Sequence, residues 1–349
     1  VAAFLETVTP SLISTLEPFQ STYSAFLNDQ AGIVDDTIIT NITESAPTYH
    51  VVTNAANYDR VKEYFETELA NYGDKSNVAW EIVQNTGMIA LQGPLATTIL
   101  QSLKPMHTGQ PFDLSTLTFG NARWLTFRDA NETVTPAILV SRTGYTGEDG
   151  FELSIPHPDP AADNTTQRVT EYLLAATAAE AGGSSSDKPV RLAGLAARDI
   201  LRIEAGLCLH GSDIDEATTP VQGSIAFIIP KARRTADAGW KGAATMYGPE
   251  AKKAGRKRVG LVMDQQVVAR HGMRVLAAGG GDGGGAELGT VTSGGPSPTL
   301  GKPIAMASVA SSVKVGDEVD VEIRKKLRKA KVVKMPFVPT KYYKGPEKS

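Results

Sequence analysis

The chain has 349 residues, 41% of them apolar and 21% charged, a composition typical of folded globular proteins and a length that calls for two or three cores. No apolar run approaches the roughly 18 residues that a membrane-spanning helix needs, and the single cysteine, Cys208, excludes an intramolecular disulfide. The net charge of −3 hides an asymmetry: from Glu250 onward 19 Lys and Arg stand against 9 Asp and Glu, about +10, which leaves about −13 upstream. The basic end carries neither zinc-ligand spacing nor an aromatic-rich RNA-binding motif, so a solvated surface or an acidic protein partner is expected and nucleic acid is not. Five histidines, His50, His107, His157, His210 and His271, are far apart and form no HxxxH pair; no metal site is expected.

Residues 1–77 read as a first α+β domain. A helix with a turn at Pro10 is predicted in Ala2–Leu16, a strand in Gly32–Asn41 (GIVDDTIITN) and another in Tyr49–Thr53. Asn57–Tyr72 follows at helical period, with Val61, Tyr64, Phe65 and Leu69 on its buried side. Side chains alternate along a strand, so Asp36 shares a face with Val34 and Ile38, while Asp35 shares the other with Ile33 and Thr37. A carboxylate on a mainly apolar face needs a partner, a ligand or a raised pKa. The plainer alternative is a strand-end aspartate making a turn hydrogen bond.

Residues 78–250 read as a second α+β domain. Strands are predicted at Trp80–Val83, Met88–Gln92, Trp124–Arg128 and Ala137–Arg142, with a helix over Leu95–Ser102 entered through Gly93-Pro94. In TGYTGEDGFELS, Thr143–Ser154, three glycines at three-residue spacing give a φ-permissive turn between two strands. It is neither a dinucleotide loop nor a P-loop, since no helix opens on it and GK[ST] is lacking. On the outgoing strand Phe151, Leu153 and Ile155 take one face and Glu152 the other. A carboxylate there is usually solvated; if that face lines a cavity, it can accept two parallel N–H donors. A helix is predicted over Asp159–Glu180 and a loop over Gly182–Asp187. Val190–Pro220, VRLAGLAARDILRIEAGLCLHGSDIDEATTP, then begins as a helix with Leu192, Ala196, Ile200, Ile203 and Leu207 on a buried stripe. Arg198 and Arg202 lie together on the opposite face; the plainer alternative, which the resemblance given below argues against, is that both are solvated. Val221–Ile229 reads as an apolar strand.

Residues 255–349 read as all-β. Six short strands, Arg258–Met263, Met273–Leu276, Gly289–Thr292, Ile304–Val309, Glu318–Ile323 and Ala330–Val333, predict a small barrel or jelly-roll-like domain. The Gly-rich insertion at 278–285 reads as a hairpin tip with no assigned role. MPFVPTKYY predicts an extended tail packed back onto the body.

LQGPLA, RTGYTGEDGFE, LAGLAARDILRIEAGLCLHGSDIDEATTPV, RVGLVM, GTVTSGGPSPTLGKPIAMA and KMPFVPTKYY occur in the order seen in aminomethyltransferases, the T-protein of the glycine cleavage system, and the whole chain resembles that family. The resemblance implies two α+β domains and a β-barrel or jelly-roll-like domain around a central folate cavity. It implies tetrahydrofolate as co-substrate, with no metal and no flavin. It implies a lipoylated carrier protein as partner, with no membrane and a monomeric state, and the KMPFVPTKYY ending points to the mitochondrial matrix. In the family a segment with a GW-containing strand and a DVSHM-like motif precedes the point matching Val1, so this chain reads as lacking the usual N-terminal segment. Carried over residue by residue, Asp36 matches the essential aspartate, with Asp35 the alternative within the acidic pair. Glu152 and Arg198 match folate-binding residues, Tyr342 a folate-contacting tyrosine, and Asn54 an asparagine near the site. The implied reaction moves a methylene group from an aminomethylated dihydrolipoyl arm to folate and releases ammonia. Two alternatives stay open. One is the folate domain of sarcosine or dimethylglycine dehydrogenases, which carry a flavin domain with a GxGxxG strand-to-helix turn. The other is a non-catalytic folate-binding relative, where a KGCYxGQE-type motif stands in place of RTGYTGEDG.

Overall fold

The computed structural model describes all residues except 75–76, 85, 129–132, 157–163, 176–189, 252–254, 280–284 and 347–349. The predicted loop 182–187, His157 and most of the Gly-rich insertion lie outside the described residues. The chain divides into two compact units: Val1–Pro18, Thr22–Ala79 and Asp199–Pro339 form the first, and Phe19–Ser21, Trp80–Arg198 and Thr340–Ser349 the second.

The first unit opens with helix α1 (Ala2–Val8) and a 3-10 turn at Ile13–Thr15, separated by Pro10. Strands β1 (Ser21–Leu27), β2 (Ile33–Asn41) and β3 (Tyr49–Val52) make a sheet in that order, β2 and β3 antiparallel. Helix α2 (Tyr58–Asn71) follows. Its Val61, Tyr64 and Phe65, spaced three and one apart, fall on one face and pack with Phe4, Leu5, Val8 and Phe26. Burying the Tyr64 ring requires a partner for its hydroxyl, and it donates to the Leu27 carbonyl at 2.7 Å.

The second unit is built on a four-stranded sheet. Strands β4 (Thr86–Gln92), β7 (Ala122–Leu125), β8 (Ile138–Ser141) and β9 (Gly150–Pro156) stand in the order β4-β9-β8-β7, and β5 (Met106–His107) and β6 (Gln110–Pro111) form a separate pair. Helices α3 (Ala96–Ser102) and α4 (Thr165–Ala175) contribute Ile99, Leu100, Val169 and Leu173 to a core with Phe151, Leu153 and Ile155. The strand predicted at Trp80–Val83 does not form. The segment that pairs with β9 along its whole length is the later one, Thr86–Gln92.

The rest of the first unit begins within helix α5 (Leu195–Glu204). Val221–Ile229, predicted as a strand, is a series of turns ending in a 3-10 turn at Ala226–Ile228. Gly223 and Ser224 (φ 57°) interrupt it, and its apolar residues Ile225, Ile228 and Ile229 recur at helical spacing and pack on Ala25, Leu27 and Trp240. After α6 (Ala243–Tyr247) come the six predicted C-terminal strands: β10 (Arg256–Met263), β11 (Arg274–Ala277), β12 (Glu287–Ser297), β13 (Lys302–Ala310), β14 (Glu318–Ile323) and β15 (Lys326–Val333). They close into a barrel, β10-β13-β12-β11-β14-β15, filled by Leu261, Met263, Val275, Val291, Ala305 and Val332 among others. Closure leaves no open sheet edge.

Helix α5 corrects the predicted amphipathic pattern. It starts only at Leu195, and Leu192 and Leu195 are 80% and 85% exposed, whereas Arg202 is 2% exposed. Arg202 is buried because acceptors are folded over it. Its guanidinium donates to Asp213 Oδ2 (2.6 Å), Ser293 Oγ (2.8 Å) and Asp199 Oδ1 (2.9 Å). Asp213 in turn accepts from Leu209 N–H and from the Thr292 and Ser293 hydroxyls. Two residues on, Glu204 accepts from Ser297 and Thr299. The polar side of α5 is therefore bolted to β12 and the acidic segment after Gly206, whose φ of 70° ends the helix run. Removing one partner of a buried pair leaves the other charge uncompensated. Arg202→Ala is expected to cost about 3–5 kcal/mol, read as a lower denaturant midpoint; an unchanged midpoint would contradict this account of the buried arginine.

Candidate functional site

In the first unit the ladder between β2 and β3 runs from Asn41↔Tyr49 to Ile38↔Val52. Continuing that register carries position 54 past position 36, and Asn54 meets both aspartates. Its side-chain Nδ2 donates to Asp36 Oδ1 (2.8 Å) and Asp35 Oδ1 (2.9 Å) and lies 3.3 Å from the Asp36 carbonyl. Its backbone N–H donates to Asp35 Oδ2 at 2.9 Å. Asp35 is 0% exposed, whereas Asp36 and Ile38 are half-buried on the other face of the strand. His210 Nδ1 stands 3.6 Å from Asp35 Oδ1, and His210 Nε2 is 3.3 Å from the Ile33 carbonyl. Burial pushes the Asp35 carboxyl above its ordinary value, opposed by the Asn54 donors and the nearby His210.

Asp36 has a second donor that the sequence did not reveal. Tyr23 on β1 donates its hydroxyl to Asp36 Oδ2 at 3.0 Å, and its ring stacks on Phe227 with centroids 6.0 Å apart and planes at 27°. Burial, and then the Asp36 charge, hold the Tyr23 phenol well above its usual pKa, so it stays protonated and keeps donating. Phe227 is 71% exposed, within the 3-10 turn that replaces the predicted strand. STYSAFL is a strand whose serines and threonine dilute the apolar alternation. Its signal lies in the neighbouring strand it pairs with, not in its own composition.

The second unit carries Glu152, Arg198 and Tyr342, and the glycine turn touches the neighbourhood of each. Glu152 is half-buried on β9, opposite Ala90 of β4 and Ser141 of β8. The Thr143 hydroxyl donates to its Oε2 at 2.6 Å; among the described residues its other oxygen accepts no hydrogen bond. Arg198, exposed at the start of α5, lays its guanidinium over the Tyr145 ring, 4.8 Å from the centroid. Tyr342 stacks on Phe119 at 4.1 Å and 17°, and burial raises its pKa. The tail is held to the turn by Lys341 N–H, which donates to the Gly147 carbonyl at 2.8 Å, and to Phe119 N–H through the Tyr343 carbonyl at 2.8 Å.

The turn itself tolerates little change. Gly147 has φ 76°, and a Cβ on Gly150 would stand 2.5 Å from the Leu91 backbone carbonyl oxygen. Beneath it lies the buried Arg142. Its guanidinium makes two bonds to Asp149 (2.9 and 2.6 Å), donates to the Leu114 and Leu117 carbonyls, and has its Cζ 4.9 and 4.0 Å from the ring centroids of Phe151 and Tyr343. Thus Asp36, Asp35 and Asn54 form one connected group, while Glu152, Arg198 and Tyr342 each border the turn of the other unit. Among the described residues no group of three or more His, Cys, Asp or Glu is placed to hold a metal, and no helix is long and apolar enough to cross a membrane.

A closed six-stranded barrel follows a mixed α/β region, and two family models match the chain in that order. The GCVT N-terminal domain matches residues 1–233, and the glycine cleavage T-protein C-terminal barrel domain matches residues 256–339. A probable mitochondrial aminomethyltransferase of Schizosaccharomyces pombe is 41% identical over 98% of this chain and 78% of its own length. A mitochondrial aminomethyltransferase of Canis lupus familiaris is 39% identical over 97% of this chain and 75% of its own. The crystal structure of the glycine cleavage system aminomethyltransferase T from Bartonella henselae superposes with a TM-score of 0.78 at 33% identity, covering 98% of this chain and 82% of that one. The chain belongs to the aminomethyltransferase family, the T-proteins of the glycine cleavage system.

The Asp35 environment gives a pH test. Its folded-state pKa is raised above the ordinary 3.8, so the native state keeps this proton to higher pH than the unfolded chain does. The group's contribution to stability therefore falls as pH rises from 3.8 through the raised value, and stays low above it. Asp35→Asn lacks this titration, so its unfolding free energy relative to the parent should rise across that window in urea titrations at stepped pH. A difference independent of pH would contradict the assignment.

Proposed function

We propose that the chain transfers the methylene of an aminomethyl group from the dihydrolipoyl arm of a carrier protein to tetrahydrofolate, releasing ammonia, with Asp36 as its catalytic carboxylate. Family membership supports the reaction and disfavours the flavin-linked and non-catalytic alternatives. The observation that carries the residue assignment is the pair of donors on Asp36. Asn54 at Oδ1 and Tyr23 at Oδ2 fix its plane while the side chain stays half-exposed. A carboxylate held this way is preorganised to stabilise positive charge developing on a nearby nitrogen, without reorganising as the reaction proceeds.

The donor set in the second unit fits a folate. Glu152, with one oxygen held by Thr143 and the other available, can accept from the paired N–H donors on a pterin edge. Arg198, its plane set by Tyr145, complements the negative parts of such a ligand. Tyr342, seated on Phe119, supplies an aromatic wall. When bound, tetrahydrofolate supplies the attacking N5 amine. The protein's own contribution is to position the reactants and exclude water, and no Ser–His or Cys–His pair is assigned a nucleophilic role. We read the barrel from residue 255 onward as a folding domain of its own, which the barrel match beginning at residue 256 supports; the expected 1–77 and 78–250 division differs from the compact units, which group Asp199–Pro339 with Val1–Pro18 and Thr22–Ala79. We also infer a location in the mitochondrial matrix, supported by relatives named as mitochondrial, and a monomeric working protein.

Two measurements test these roles. In calorimetric titration, tetrahydrofolate should bind the parent, and Glu152→Ala should weaken binding by on the order of 10- to 100-fold, the value of a lost charge-assisted hydrogen bond. Asp36→Ala should lower kcat by about 100- to 1000-fold while changing folate affinity only about twofold. A loss confined to affinity would remove Asp36 from the chemical step.

A further inference from the structure

We propose that Asp35 is a positioning residue for the reaction: it clamps Asn54, and through Asn54 it fixes the Asp36 carboxylate. The proposal rests on the role given to Asp36 above. Asp35 is fully buried, and each of its two carboxylate oxygens accepts a hydrogen bond from Asn54. Oδ2 takes the Asn54 backbone N–H at 2.9 Å and Oδ1 takes the Asn54 side-chain Nδ2 at 2.9 Å. That double tie sets both the backbone position and the flip of the Asn54 amide. With the amide turned the other way, Asn54 Oδ1 would face two carboxylates. In the clamped orientation the same Nδ2 reaches Asp36 Oδ1 at 2.8 Å.

A buried carboxylate is a costly way to fill a core position. Placing two adjacent acids on one shared donor adds like-charge repulsion that simple packing does not require. His210 Nδ1, 3.6 Å from Asp35 Oδ1, offsets part of that burden when it carries a proton. Asn54 therefore has its amide hydrogens committed to the protein, and its contribution to the site is made through Asp36. This makes Asn54, an asparagine near the site, a strut, and turns Asp35 from an alternative catalytic acid into the strut's anchor.

The test is a kinetic cycle on the full chain with saturating aminomethylated carrier and tetrahydrofolate. Asp35→Asn can accept through only one oxygen, which loosens Asn54 and should lower kcat by roughly 10- to 100-fold, the scale of a small misplacement of a reacting group, with folate affinity within about twofold. In the Asp36→Asn background the same change should lower kcat no further, because its effect runs through Asp36. Asn54→Ser, which keeps the backbone N–H but not the reach, should behave alike and decides the matter if Asp35→Asn does not fold by thermal melt. The proposal is overturned if Asp35→Asn or Asn54→Ser keeps full kcat, or if the losses multiply in the Asp36→Asn background. If Asp36→Asn alone keeps full kcat, the reading of Asp36 itself fails, and this proposal with it.

Discussion

Everything at the acidic end of this molecule depends on the register of two short strands. A carboxylate on a mostly apolar strand face persists only if hydrogen-bond donors come to it, because desolvating the charge otherwise costs several kcal/mol. The pairing of Ile38 with Val52 brings the chain just beyond β3 alongside Asp36 and Asp35. Shifting that register by one residue would turn every side chain of one strand to the opposite face. Asn54 would then point away from the acids it now bridges. The register is protected by burial of Ile33, Val34 and Ile39, so the precision of the carboxylate is drawn from the hydrophobic core.

The second unit solves a similar problem with backbone and tail. The glycine turn after β8 is held from below by Arg142, whose guanidinium joins Asp149 to the Leu114 and Leu117 carbonyls. On its other contacts the turn orders the candidate side chains: Thr143 bonds to Glu152, the Tyr145 ring lies under Arg198, and Gly147 holds the segment that carries Tyr342. Arg202 does comparable work in the first unit, tying α5 to Asp213 and β12. Both arginines are buried with acceptors arranged around them, which makes each an organiser of loops that lack cores of their own.

How much of this was legible in sequence follows from the range of the interactions. Period-two alternation separated Asp35 from Asp36 and placed Glu152 away from Phe151, Leu153 and Ile155, because strand geometry is local. The six barrel strands were legible for the same reason. The burial of Arg202 was not legible because helical periodicity reports a face, not what folds over it; its acceptors Asp213 and Ser293 lie eleven and 91 residues on. Tyr23 was missed because its partner is fixed by pairing between β1 and β2, and its own strand is diluted by serine and threonine. Val221–Ile229 misled because a short apolar run fits strand and turn alike, and the interruption at Gly223 and Ser224 outweighs composition. The family resemblance named Asp36, Glu152, Arg198, Tyr342 and Asn54 together, but it did not show that Asn54 bonds to both aspartates.

The most direct test of the whole account is ammonia release from an aminomethylated lipoyl carrier, followed with this chain in the presence and absence of tetrahydrofolate. The account predicts rapid release only when folate is present, with methylenetetrahydrofolate formed in equal amount. Ammonia released at the same rate without folate, or released with no methylene appearing on folate, would contradict it.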